Sequence, residues 1–261
     1  MNETTVLDRA HAAMEAALGD DTARLQFYER LADGELFILL DSDAEGQTIA
    51  PQIFTVEDTR YVLVFDRESR LAEFVGGPAP YAAMSGRNLA AMMAGQDIGL
   101  GVNLGVAPSE ILIPAGAVDW LHETLGHVPV QIEARPVEIR APAGLPQALV
   151  AALDTKLAIA GGLARIAYLA GVTYDGGRIG HLLGFVDVVP GAEETLARLA
   201  GEALTFSGLE AGEMDVGFFA PSDPVCARLA RVALRFDLPA PVVEAGPGAP
   251  GTDPDRPPRL R

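Results

Sequence analysis

Residues 163–189 read LARIAYLAGVTYDGGRIGHLLGFVDVV, and the fold class hangs on this stretch. Two runs rich in β-branched and large apolar residues, Leu163–Tyr174 and His181–Val189, flank Asp175-Gly176-Gly177. A tight Asp-Gly-Gly between such runs favours positive φ at the turn and matches the twist of paired strands, so the stretch predicts an antiparallel hairpin. Helical patterns lie on either side. Leu145, Leu149, Leu153 and Leu157 recur every four residues. Leu196, Leu199, Ala200, Ala203 and Leu204 follow i, i+3, i+4, i+7, i+8. Met214, Val216 and Phe218 alternate as in a half-buried strand, and Asp223-Pro224 supplies an N-cap followed by N1. Residues 141–239 therefore read helix, strand, strand, helix, strand, helix.

Toward the N-terminus, Thr5-Val6-Leu7-Asp8 resembles a capping box with Asp in place of Glu, opening a helix through Leu7, Met14 and Leu18. A second helix runs from Asp21 through Leu25, Tyr28 and Leu31 to Gly34. Leu36–Leu40, Ile49–Phe54, Tyr61–Phe65, Ile98–Leu104 and Glu110–Ile113 read as short strands. Asp66 is expected to cap a helix through Leu71 and Phe74, and Ser85 another through Leu89, Met92 and Met93. Pro114 suits the first position of a helix carrying Val118, Leu121 and Leu125. Helices mixed with hairpin-linked strands give an α+β class, with mainly antiparallel or mixed sheets covered by helices.

Arg135-Pro136 and Ala141-Pro142-Ala143-Gly144-Leu145-Pro146 break both helix and strand. They suggest a domain over residues 1–140, a second over 141–239, and a flexible Pro/Gly-rich tail over 240–261. Charge changes across the same point. The first 140 residues hold 9 basic and 22 acidic side chains, whereas the remainder holds 10 and 14. The net charge of −17 offers no basic footprint for nucleic acid. No apolar run reaches the length of a membrane span. The acidic, polar start Met1–Asp8 does not resemble a signal peptide, so a cytoplasmic location is expected. One Cys, Cys226, excludes an internal disulfide and a Cys-rich zinc site.

The chemical motifs are near misses. His122-Glu123-Thr124-Leu125-Gly126-His127 spaces its histidines by five, which turns the rings about 140° apart on a helix instead of onto one face. Gly99-Leu100-Gly101-Val102-Asn103-Leu104-Gly105 places its glycines inside a strand pattern, with no helix opening on them as a dinucleotide fingerprint requires. Asp41–Gly46 begins like a calcium loop, but Gln52 stands where the closing bidentate Glu belongs. Ser109, between Pro108 and Glu110, lacks a nucleophile elbow. Cys226 reads as a small apolar residue of a helix. These motifs assign no catalytic residue, and no metal or cofactor is expected.

Ile53-Phe54-Thr55-Val56-Glu57-Asp58 with the following strand and helix, and Val102-Asn103-Leu104-Gly105 followed by Pro108–Ile113, resemble the N-terminal domain of the SseB (enhanced serine sensitivity) family. Leu104 stands where members typically carry Pro. Ala167-Tyr168-Leu169 leading to His181–Asp187 resembles the family's C-terminal domain. The resemblance implies a cytosolic bacterial two-domain α+β protein linked by name to serine tolerance, with no catalytic residues to carry over. Two functions follow. The first is a non-catalytic binding or regulatory module. The alternative is a transferase or hydrolase acting on a small amine or amino acid through acidic residues. For the first, the expected interaction surface is the turn bearing Asn103, Gly105, Ser109 and Glu110. Its small residues admit a close approach, and the acidic surroundings would draw in a protein partner or a small cationic ligand. Replacing Ser109 and Glu110 together by Arg is expected to shift stability by under about 0.5 kcal/mol, as for surface positions.

Overall fold

The computed structural model describes residues 3–43, 48–126, 136–175, 177–208 and 214–240. The expected tail lies outside the described residues apart from Ala240. So do His127 and residues 44–46 of the calcium-like loop.

The chain opens on α1 (Val6–Ala16) and α2 (Asp21–Asp33). The capping box at Thr5 is complete: Asp8 N donates to Thr5 Oγ1 and Thr5 N donates to Asp8 Oδ2. A first sheet follows, built from β1 (Glu35–Leu39), β2 (Ile53–Val56), β3 (Thr59–Phe65), β4 (Tyr81–Ser85), β5 (Gly99–Val102) and β6 (Ile111–Ile113). Its order is β4-β1-β3-β5-β6, with β2 also paired to β3. Only β3 and β5 run parallel, so the sheet is mixed. On one face it packs against α1, α2, α4 (Gly86–Met93) and α5 (Ala115–Gly126), burying Phe27, Leu31, Ile38, Val62, Val64 and Leu89. Full burial of each such side chain contributes roughly 1.5–3 kcal/mol. On the other face α3 (Glu68–Val75) lays Leu71 over Leu39, Leu63 and Phe65.

The second sheet contains β7 (Pro136–Arg140), β8 (Ile166–Tyr174), β9 (Ile179–Val186), β10 (Met214–Phe219) and β11 (Leu234–Asp237). The expected hairpin is the β8–β9 pair, in register from Ile166↔Val186 to Thr173↔Ile179. The order is β10-β9-β8-β11, with β7 also on β8 and β10 parallel to β9. The stripes of α6 (Gln147–Ile159) and α7 (Glu193–Phe206) cover one face, and Leu229 of α8 (Pro224–Val232) covers the other. The fold is α+β with two sheet-bearing regions.

Three strands were not expected: β4, β7 and β11. Each is a short edge strand, with one neighbour to pair with and little continuous apolar pattern to announce it. β7 precedes the Ala141–Pro146 break yet pairs with β8, so sheet membership changes before Pro136. Asp66 is not an N-cap. α3 starts at Glu68 after Arg67, because the Asp66 carboxylate is taken by Thr5 Oγ1 and Arg70.

The two regions share one packed boundary. Phe206 of α7 sits in the first core. Trp120 of α5 stands edge-on to Tyr28 of α2 and to Phe206. Within the first region Gly86 lets α4 lie close on α2, since a Cβ there would lie 1.9 Å from the Leu31 carbonyl oxygen, and this places Arg87 against Glu202 of α7 across the boundary.

Candidate functional site

The β5–β6 turn does not float on the surface. Asn103, at φ 50°, is fully buried, as is Ser109, while Gly105 and Glu110 are exposed. Left-handed backbone is tolerated by Asn because its short amide can bond locally. Here Asn103 Oδ1 accepts from Asp66 N at 3.1 Å, and its Nδ2 donates to Ser109 Oγ at 2.9 Å. Ser109 Oγ in turn donates to Asp8 Oδ1 at 2.5 Å. Arg70 donates to both oxygens of Asp8 and to Asp66 Oδ1. Thr5 Oγ1 closes the ring by donating to Asp66 Oδ2 at 2.6 Å.

Three chain segments thus converge where the parallel strands β3 and β5 end. These are the first turn of α1, the β3–α3 connection and the β5–β6 turn. Burial alone would raise the Asp8 carboxyl, but the hydrogen bonds from Arg70, Ser109 and Thr5 outweigh it and hold it well below the usual carboxylate range. Such a network is stable only when almost every polar atom is satisfied. Arg70 Nε is its one buried atom without a hydrogen-bond partner among the described residues.

The four turn residues separate into two groups. Asn103 and Ser109 are interior struts. Gly105 and Glu110 form the outer side, where Gly105 N donates to Glu110 Oε2 at 2.8 Å. Burial of Ser109 corrects the expectation that Arg at 109 is a mild surface change. Beside the network, Thr5 and Asp66 also line an open cleft of about 450 Å³. Arg9, Arg30 and Arg67 share its wall with Glu3, Glu35 and Asp66. The cleft is therefore locally balanced, although its half of the chain is strongly acidic.

Among the described residues no group of three or more His, Cys, Asp and Glu is placed to hold a metal ion. No helix among them is long and apolar enough to cross a membrane. Cys226 is partly buried, and burial together with nearby Asp223 pushes its thiol up, away from a reactive thiolate.

Residues 10–120 match the family model of the SseB protein N-terminal domain. They are an SseB N-terminal domain. The match spans α1 beyond its first turn, the whole first sheet and the start of α5, so it includes Asp66, Arg70 and the Asn103–Glu110 turn. Neither a curated protein nor a solved structure matches the chain. The SseB domain's network had partial sequence signals. Thr5 and Asp8 are legible as a capping box, and Asn103 as a positive-φ turn residue. Asp66 read as a helix cap and Arg70 carried no signal, because an Arg on a short helix reads as solvated surface.

A second buried charge cluster went unread. Lys156 of α6, wholly buried, lies 2.6 Å from Asp33 Oδ2, 2.9 Å from Glu202 Oε2 and 3.7 Å from Glu29 Oε1. Arg87 of α4 donates to Asp33 and to both oxygens of Glu202. Lys156 stands seven residues after Leu149 on the apolar stripe, and a charge at such a position is the one signal that was available.

Proposed function

We propose that this chain is a non-catalytic binding or regulatory module of the bacterial cytosol, connected with serine tolerance as its SseB resemblance implies. On this reading it comprises an SseB N-terminal domain and a second SseB-type domain from about residue 141. The observation that supports it is the engagement of the polar groups under the β5–β6 turn. Asp8, Ser109, Asn103 and Arg70 are committed to one another. The Ser109 hydroxyl donates to a buried carboxylate that Arg70 and Thr5 hold anionic, which locks it in place beside a base too weak to take its proton. The same bonds make the turn a rigid platform, and exposed loops on rigid scaffolds commonly carry recognition.

The interaction surface is the outer side of that platform, around Gly105 and Glu110, with the neighbouring cleft. The acidic first half favours a cationic protein segment or a small amine by long-range steering. The test is affinity capture from native cytosol with wild-type protein and with Glu110→Arg, at low and high salt. A partner held by wild-type protein and lost from the variant, most clearly at low salt, supports the reading. Identical capture with identical salt dependence places recognition elsewhere.

A further inference from the structure

Glu29 is the odd charge in the boundary between the two sheet-bearing regions. Its side chain is fully buried, and both carboxylate oxygens lack a hydrogen-bond partner. The groups around it come from four helices. Its own α2 supplies Arg30, at 3.9 Å and partly exposed, and Asp33. α6 supplies Lys156, α7 supplies Glu202 and α4 supplies Arg87. α1, also packed on α2, presents His11 to Phe27, while its Asp8 is engaged by Arg70. α5 contributes Trp120 against Tyr28.

Lys156 and Arg87 each donate to both Asp33 and Glu202, which makes a neutral group of four. Glu29 is a third carboxylate, 3.7 Å from Lys156 Nζ, that receives no hydrogen bond. An ionised carboxylate buried without hydrogen bonds is far costlier than the neutral acid.

We propose that the packing of α6 and α7 against α2 and α4 is a proton-linked joint, in which Glu29 is protonated while the joint is closed and releases its proton when the joint opens. Burial raises the Glu29 carboxyl above its ordinary value of 4.5, against the pull of Lys156 and Arg30. Glu202 shifts the other way. Burial would raise it, but Arg87 and Lys156 hold it down and charged. The sign follows. The closed joint binds one more proton than the open one, so closure is favoured as pH falls toward 4.5 and opening as pH rises above it. One proton limits the effect to a tenfold change in the opening equilibrium per pH unit, ending where Glu29 is ionised in the closed state.

The full-length chain reports on this joint directly. Trp120 is its single tryptophan and touches α2 and α7 across the boundary. Trp120 emission and hydrogen exchange of α6 and α7 amides, corrected for intrinsic rate, are followed from pH 4.5 upward in wild-type protein and Glu29→Gln. The expected result is wild-type protection that falls by up to tenfold per pH unit while Glu29→Gln stays flat. Matching profiles in the two proteins overturn the proposal. Should Glu29→Gln fail to fold, the ¹³C carboxyl titration of Glu29 in wild-type protein decides. A midpoint well above the ordinary value of 4.5 sustains the joint, and a midpoint at that value overturns it.

Discussion

Asp8 and Arg70 lie 62 residues apart in the chain and meet as a two-pronged ion pair, each side chain only 2% exposed. Neither belongs to the β5–β6 turn. Through Ser109 and Asn103 they nonetheless fix its backbone, so the shape of the exposed turn depends on a pair buried beneath it. Removing one partner of a buried pair leaves the other charge uncompensated. Asp8→Ala should cost about 3 kcal/mol, at the lower end for such pairs because Asp66 still faces Arg70. Urea denaturation at neutral pH measures it.

The same pair sets an acid limit. Asp8 is held below its ordinary value of 3.8 in the folded state, so its contribution is present above that value and is lost as pH falls below it. Stability of wild-type protein should fall steeply below about pH 4, and Asp8→Asn should show a shallower fall. Thermal melts across pH 2–6 separate the two slopes, and parallel slopes would sink the assignment.

Neighbouring turn residues should respond unequally. Ser109→Ala strands Asp8 and Asn103 of a buried hydrogen bond and should cost about 1–3 kcal/mol. Glu110→Ala loses a solvent-exposed acceptor for Gly105 N and should cost under about 1 kcal/mol. Ser109→Arg should prevent the turn from closing, visible as loss of amide protection over residues 103–110.

Asn103 tests backbone strain. Asn103→Gly loses the side-chain hydrogen bonds but accepts φ 50° freely. Asn103→Ala loses the same bonds and adds about 1–2 kcal/mol for a left-handed backbone. Chemical denaturation of both variants should rank Ala below Gly, and equal stabilities would refute the strain.

Gly86 tests the boundary. A Cβ meeting the Leu31 carbonyl oxygen at 1.9 Å forces the start of α4 away from α2, pulling Arg87 from Asp33 and Glu202. Gly86→Ala should cost about 1–3 kcal/mol, as overpacking does, with α6 and α7 amides losing protection along with α4.

Much of the secondary structure was legible because its causes are local. The Thr5 capping box, the Ser85 and Asp223 caps and the apolar stripes of α6 and α7 all appear where the spacing of a few residues places them. The β8–β9 pair was legible for the same reason, although Gly176 of the expected turn lies outside the described residues. Legibility declined at sheet edges. β4, β7 and β11 are held by one neighbour each, and the sequence of an edge strand need not alternate.

The sequence by itself determined the α+β class, the hairpin at the centre of the second sheet, the starts of α1, α4 and α8 and the SseB likeness of the first half. Only the tertiary structure decided that Asn103 and Ser109 lie inside while Gly105 and Glu110 lie outside, and that Glu29, Asp33, Arg87, Lys156 and Glu202 form one buried cluster. The physical reason is range. Caps, turns and stripes act over three to eight residues, so a local window contains both partners. The ion pairs and hydrogen bonds at the two buried sites join residues 62, 101, 115 and 123 positions apart. Whether a charge is solvated or paired depends on which distant partner the fold delivers to it.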